Sequence, residues 1–128
     1  MDRRSFNTCA AGSLIASSLP LYGNQDRIRI GQIGLAHPHA SGKLKAIQSL
    51  PKTYELVGVV EPDLSVRKRA KGVTFISLDQ LMDTKRLRAV VIETRVKDLV
   101  TTAFPVVEAG KHIHLDKPAG PTLPPFEK

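Results

Sequence analysis

Cysteine is nearly missing from this chain of 128 residues: the one present, Cys9, lies in the first twenty. The rest of the chain therefore has no disulfide framework, and an oxidising compartment would neither help nor harm it. Tryptophan is absent and aromatics make up 5% of residues. No aromatic side chain alternates with the basic runs to stack a base, and no nucleic-acid-binding motif is visible. The net charge of +7 comes largely from Arg67, Lys68, Arg69, Lys71, Lys85, Arg86 and Arg88, which are interleaved with apolar residues. That pattern reads as a solvated basic face rather than a nucleic-acid surface. At 41% hydrophobic and 24% charged the composition is globular, and the length holds one domain.

The stretch GQIGLAHPHASGK, from Gly31 to Lys43, is the one around which the chain is organised. RIRI before it reads as a strand. Ala40, Leu44, Ile47 and Leu50 after it stand at helical spacing. A strand, a tight turn and a helix N-terminus form the setting in which a pyrophosphate is held by backbone N–H groups and the positive end of a helix dipole. Against G-x-G-x-x-G only the first glycine, Gly34, is present, with Ala36 at the second position and His39 at the third. Alanine still permits fairly close backbone approach, whereas histidine is bulky for a tight helix–strand contact.

The chain start differs in character. MDRRSFNTCAAGSLIASSLP sets Arg3 and Arg4 ahead of a modest run of Ala, Ser and Leu that is too short to span a bilayer comfortably. Residues 1–25 resemble a twin-arginine export signal, read by a receptor that carries folded proteins, although Asp2 and Asn7 flank the pair and no A-x-A site precedes Asp26. The expectation is an exported or periplasmic protein. If the segment is only a tail, the protein is cytoplasmic.

From Asp26 onward strand and helix alternate. Tyr54 to Asp63 is a mostly apolar strand ending in acid, with Glu61 at its tip. A carboxylate there accepts hydrogen bonds from ribose hydroxyls and repels a 2′-phosphate, which favours NAD, with NADP as the alternative because Asp63 and the basic run come after it. Leu64 to Lys71 is a short basic helix, TFIS a brief third strand, and LDQLMDTKRL a helix capped at Ser77 or Asp79. Arg88 to Thr94 is a strand whose polar carboxyl end lies where open parallel sheets bind ligands. VKDLVTTAFPVVEAG is a helix that Pro105 should kink or delay and Gly110 should close. HIHLDKPAG is a fifth strand running into Asp116, Lys117 and Pro118, and residues 122–128 are a tail.

The histidines form two H-x-H pairs, His37 with His39 and His112 with His114. Four imidazoles suit zinc. In the expected sheet, however, the Arg88–Thr94 strand separates the first strand from the last, holding their axes roughly 10 Å apart. His112 also lies at the far end of its strand. No metal site is expected.

Gly34 in its strand–turn–helix, Glu61 before Pro62 and Asp63, the strand ending at Thr94, and GKHIHLDKPAG together resemble the nucleotide-binding half of the glucose-fructose oxidoreductase, inositol dehydrogenase and MocA family (Gfo/Idh/MocA). A-G-K-H-x-x-x-D-K-P is similar to the family's segment ending in Glu-Lys-Pro, with Asp116 in place of the glutamate. The resemblance covers residues 26–121. It implies an α/β fold of Rossmann type, a doubly wound parallel sheet of about five strands. It implies a hydride-transferring oxidoreductase for sugars, cyclitols or related polyols, with NAD or NADP as cofactor. By the same resemblance, Gly34 and Ala36 would shape the pyrophosphate turn, with His37 and His39 lining it. Glu61 would hold the ribose, and Thr94 would contact the nucleotide near its nicotinamide. Asp116 and Pro118 would flank the catalytic Lys117, whose ammonium would stabilise charge developing on the substrate oxygen.

In that family the substrate pocket and the proton-exchanging residue belong to a second domain, which is not expected within these 128 residues. The expectation is a truncated fold, not competent alone, whose exposed face leads to association or marginal stability. The alternative readings are a non-catalytic dinucleotide-binding module or partner subunit, and a basic interaction domain. Stable membrane insertion and nucleic-acid binding are not expected.

Overall fold

A computed structural model describes residues 27–127. The export-signal reading of residues 1–25 falls outside the described residues. Four parallel strands make one sheet: β1 (Ile28–Ile33), β2 (Tyr54–Val60), β3 (Ala89–Ile92) and β4 (His112–Leu115), in the order β2-β1-β3-β4. The chain winds outward from β1 to β2 and then crosses back to continue on the other side. The order therefore reverses between β1 and β3.

Helices cover both faces. α1 (Ala40–Gln48) buries Ala40, Leu44 and Ile47, three residues at helical spacing, and these pack with Ile30, Leu35, Val59 and Val91. On the opposite face, α3 (Leu78–Met82) and α4 (Leu99–Glu108) supply Leu81, Leu99, Ala103 and Val106 against Ile33, Val90 and Ile92. Alternation along β3 thus sends Val91 one way and Val90 and Ile92 the other, as a strand covered on both sides requires. Gly31 is needed for the close fit, because a side chain there would run into Leu81. A register shift between Ile30 and Gly31 lets β2 send Leu56 and Val59 to the α1 face and Val57 and Val60 to the other.

Several expectations sharpen. The Ser77 hydroxyl accepts from Gln80 N at 3.1 Å while Gln80 Oε1 accepts from Ser77 N at 2.8 Å, so Ser77, not Asp79, caps α3 with a reciprocal box. The basic helix contracts to α2 (Leu64–Arg67), capped by Asp63 and burying none of its residues. TFIS does not form a strand. Phe75 makes a single bridge to Val59, held by Val59 N to Thr74 O at 2.9 Å and Ile76 N to Val59 O at 3.0 Å. α4 runs through Pro105, reached by a 3-10 turn at Val96–Asp98, and the chain leaves it through Gly110 at φ +68°. Among the described residues no helix is long and apolar enough to cross a membrane.

Candidate dinucleotide crevice and a buried histidine–carboxylate cluster

The carboxyl ends of β1, β2 and β3 open into a crevice at the point where the strand order reverses. In open parallel sheets this is where ligands bind. Gly34, Ala36, Glu61 and Thr94 line it together, with Asp63 and Arg95 at its edges. The loop that shapes it depends on Gly34. Its φ is +88°, and a Cβ there would lie 2.7 Å from Thr94 N and 2.8 Å from the Glu93 carbonyl carbon and oxygen. Gly34 N donates to Val60 O at 2.8 Å, Glu93 N to Ile33 O at 2.8 Å and His37 N to Glu93 O at 3.0 Å. The turn is stitched to β2 on one side and β3 on the other.

Glu61 has a role the sequence did not announce. Only 6% exposed, it accepts from Leu35 N with Oε2 at 2.9 Å and from Asp63 N with Oε1 at 3.0 Å. The carboxylate thereby ties the β1 loop to the tip of β2, and each oxygen keeps a lone pair for a further donor. Arg67 reaches back to the Glu61 carbonyl at 2.6 Å and lies over Phe75, 4.8 Å from the ring centroid. Most loop amides are already engaged within the protein. The Ala36 N–H, on the crevice wall, is the exception with no partner among the described residues. Asp63 is held below the usual carboxylate range by the Ser65 hydroxyl and by the Ser65 amide.

The two loop histidines do not join this crevice. His37 is buried, with Nδ1 3.5 Å from Glu93 Oε2 and 3.7 Å from Asp116 Oδ2. That same Nδ1 accepts the His39 N–H at 3.2 Å. The His39 ring is half exposed and bonds Asp116 Oδ2 through Nδ1 at 3.1 Å. Lys43 Nζ stands 3.9 Å from the same oxygen, and Asp116 Oδ1 accepts the Lys117 N–H at 2.7 Å. Lys117 and Pro118 are exposed just beyond β4.

The electrostatics of the cluster follow from burial. Glu93 is fully enclosed, and burial together with the charge of Asp116 pushes its carboxyl up to about 7, with Lys43 pulling the other way. For Asp116 burial also favours the neutral form. The Lys117 amide, Lys43, His39 and His37 outweigh it, and the group stays below the usual carboxylate range. Of this cluster, Glu93 and Lys43 were not among the sequence candidates, and His114 was weighed only as a member of an H-x-H pair. Glu93 had one legible signal, an acid closing an apolar strand at its ligand-binding end.

Histidines of both pairs lie near one carboxylate. β3 does separate β1 from β4, and His112 lies at the far end of its strand. Asp116 nevertheless bridges the gap. His37 and His39 lie with it in one group whose donor atoms are within 4.8 Å of one another, and Glu93 and His114 lie with it in a second.

No protein-family model matches the chain, and no curated protein matches it in sequence. Solved structures share the fold. A protein from Erwinia carotovora atroseptica SCRI1043, provisionally described as an oxidoreductase, is 27% identical with a TM-score of 0.70 over 79% of this chain and 31% of that one. The WlbA dehydrogenase of Bordetella pertussis, solved with NADH and UDP-GlcNAcA, is 23% identical with a TM-score of 0.67 over 79% and 32%. An NAD-binding protein from Listeria innocua is 22% identical with a TM-score of 0.67 over 79% and 30%. The chain therefore has the Rossmann-type fold found in oxidoreductases, and it spans about a third of the length of each of these proteins.

Proposed function

We propose that this chain binds NAD as the nucleotide-binding part of a hydride-transferring oxidoreductase of the Gfo/Idh/MocA type, acting on a sugar, cyclitol or related polyol. One observation carries the reading. The turn after β1 is pressed against the end of β3 so closely that only glycine fits at Gly34, and this leaves an open crevice at the reversal of strand order with a carboxylate at the tip of β2. Structures of the same fold hold NADH or NAD, which supports the choice of ligand.

Within this proposal NAD, when bound, accepts the hydride. The residues of the chain bind and orient it. The Ala36 amide meets a phosphate oxygen, and Gly34 permits the close approach. Glu61 uses its remaining lone pairs for ribose hydroxyls while its charge disfavours a 2′-phosphate. Thr94 faces the nicotinamide side. Lys117, exposed past β4 with its backbone fixed by Asp116 and Pro118, presents its ammonium to the substrate oxygen and stabilises the charge that develops there. Export through the Arg3–Arg4 segment is part of the same proposal.

Titration of the full chain with NADH, following nicotinamide fluorescence, tests the reading. Saturable binding below millimolar is expected. Ala36→Asp places a carboxylate against the phosphate and should weaken binding by about tenfold or more, equivalent to roughly 1.4 kcal/mol, with an unchanged circular dichroism spectrum. No saturation up to millimolar NADH, or equal binding by the variant, would overturn it.

A further inference from the structure

We infer that Asp116, with the imidazoles of His37 and His39 and the carboxylate of Glu93 beside them, forms a site for a borderline divalent transition-metal ion such as zinc or cobalt. None of these four side chains lines the cofactor crevice.

The distances suit such an ion. Four ligands at about 2.0–2.1 Å in a tetrahedron stand about 3.3 Å from one another. His39 Nδ1 to Asp116 Oδ2 is 3.1 Å, His37 Nδ1 to Glu93 Oε2 is 3.5 Å, and His37 Nδ1 to Asp116 Oδ2 is 3.7 Å. Three edges of such a shell are thus near the required length, and the His37 ring has only to release the His39 N–H to turn its Nδ1 lone pair on the ion. His114, on β4, stands with Glu93 and Asp116 in a second group of three.

Glu93 points the same way, independently of those distances. Its side chain is fully buried and neither of its oxygens has a hydrogen-bond partner. Buried polar groups are almost always partnered, so an orphaned carboxylate inside a histidine cluster asks for a cation. Lys43 is the cation now nearest, 3.9 Å from Asp116 and about a third exposed, so its ammonium is free to turn into water when an ion enters. Imidazole nitrogen combined with carboxylate oxygen suits zinc, cobalt or nickel over magnesium or calcium, which prefer an all-oxygen shell.

The test is calorimetric titration of the chelator-stripped full chain with zinc chloride at pH 7.5, together with the visible spectrum of added cobalt(II). One ion per chain is expected, with the intense d–d absorption of a four-coordinate centre. His39→Ala removes a half-exposed ring, with folding checked by circular dichroism, and should weaken binding at least tenfold, as should Asp116→Asn. His112→Ala, at the far end of β4, should leave binding unchanged, and Lys43→Gln should tighten it. An absence of saturable heat, affinity unaltered in both His39→Ala and Asp116→Asn, or loss of binding in His112→Ala, would each overturn the inference. NADH titration in the presence of chelator reads the dinucleotide crevice separately.

Discussion

Replacing Gly34 by alanine should damage this fold far more than its single methyl suggests. Two costs add. A non-glycine residue at φ +88° loses about 1 kcal/mol or somewhat more through contact of Cβ with its own backbone. The added carbon would also lie 2.7 Å from Thr94 N and 2.8 Å from the Glu93 carbonyl, backbone atoms at the end of β3 that cannot swing aside as a flexible side chain would. Overpacking of this kind costs about 1–3 kcal/mol, and the sum is roughly 2–4 kcal/mol. At about 4–8 °C per kcal/mol for a domain of this size, the midpoint should fall by roughly 10–30 °C. Gly42 is the matched control. It lies inside α1, and a methyl group there would meet nothing within 4 Å, so Gly42→Ala should stabilise by about 0.5–1 kcal/mol. Urea unfolding of both variants beside the wild type measures the difference. If Gly34→Ala unfolds within about 0.5 kcal/mol of the wild type, the turn is not held against β3 and the crevice is not built in the way described.

Glu93 keeps its proton in the folded chain up to about pH 7, against 4.5 for an unperturbed glutamate, so folded protein binds more protons than unfolded across that window and stability falls as pH rises through it. The loss amounts to roughly 3 kcal/mol. Glu93→Gln should flatten that slope in metal-free buffer, and urea unfolding at pH 5 and pH 8 with the slope intact would refute the assignment. Asp116 works in the opposite direction, since its lowered pKa gives stability that is lost only as pH drops through the acid range below 3.8. Glu61→Ala strips the acceptor from the Leu35 and Asp63 amides and should cost roughly 1–3 kcal/mol, with faster hydrogen exchange at the Leu35 amide as its local signature. Ser77→Ala breaks the reciprocal cap of α3 and should cost about 1 kcal/mol, read as a small drop in thermal midpoint.

The crevice was more legible than the cluster because its signals are local. Gly34, Glu61 and Thr94 each close or follow an apolar strand, and the carboxyl ends of neighbouring parallel strands necessarily meet. His37 was less legible for the same reason. Its place in the loop implied a residue facing the ligand, yet its ring turns inward to Glu93 and Asp116, residues far along the chain that no local pattern connects to it. Weak elements misled in another way. Phe75 and Ile76 have strand-like side chains, but TFIS secures only two backbone hydrogen bonds at the edge of β2, and Leu64–Arg67 buries no residue that would extend its helix.

Sequence alone determined the alternation of strand and helix, the apolar faces of α1 and α4, and the position of the one indispensable turn, because hydrophobic period and glycine conformation act over a few residues. Tertiary structure decided that Glu61 spends its carboxylate on the loop backbone, that TFIS stops at a bridge, and that Asp116 gathers histidines from two distant segments. Those outcomes depend on which strands become neighbours and how deeply each charge is buried, and both are set only when the sheet closes over its core.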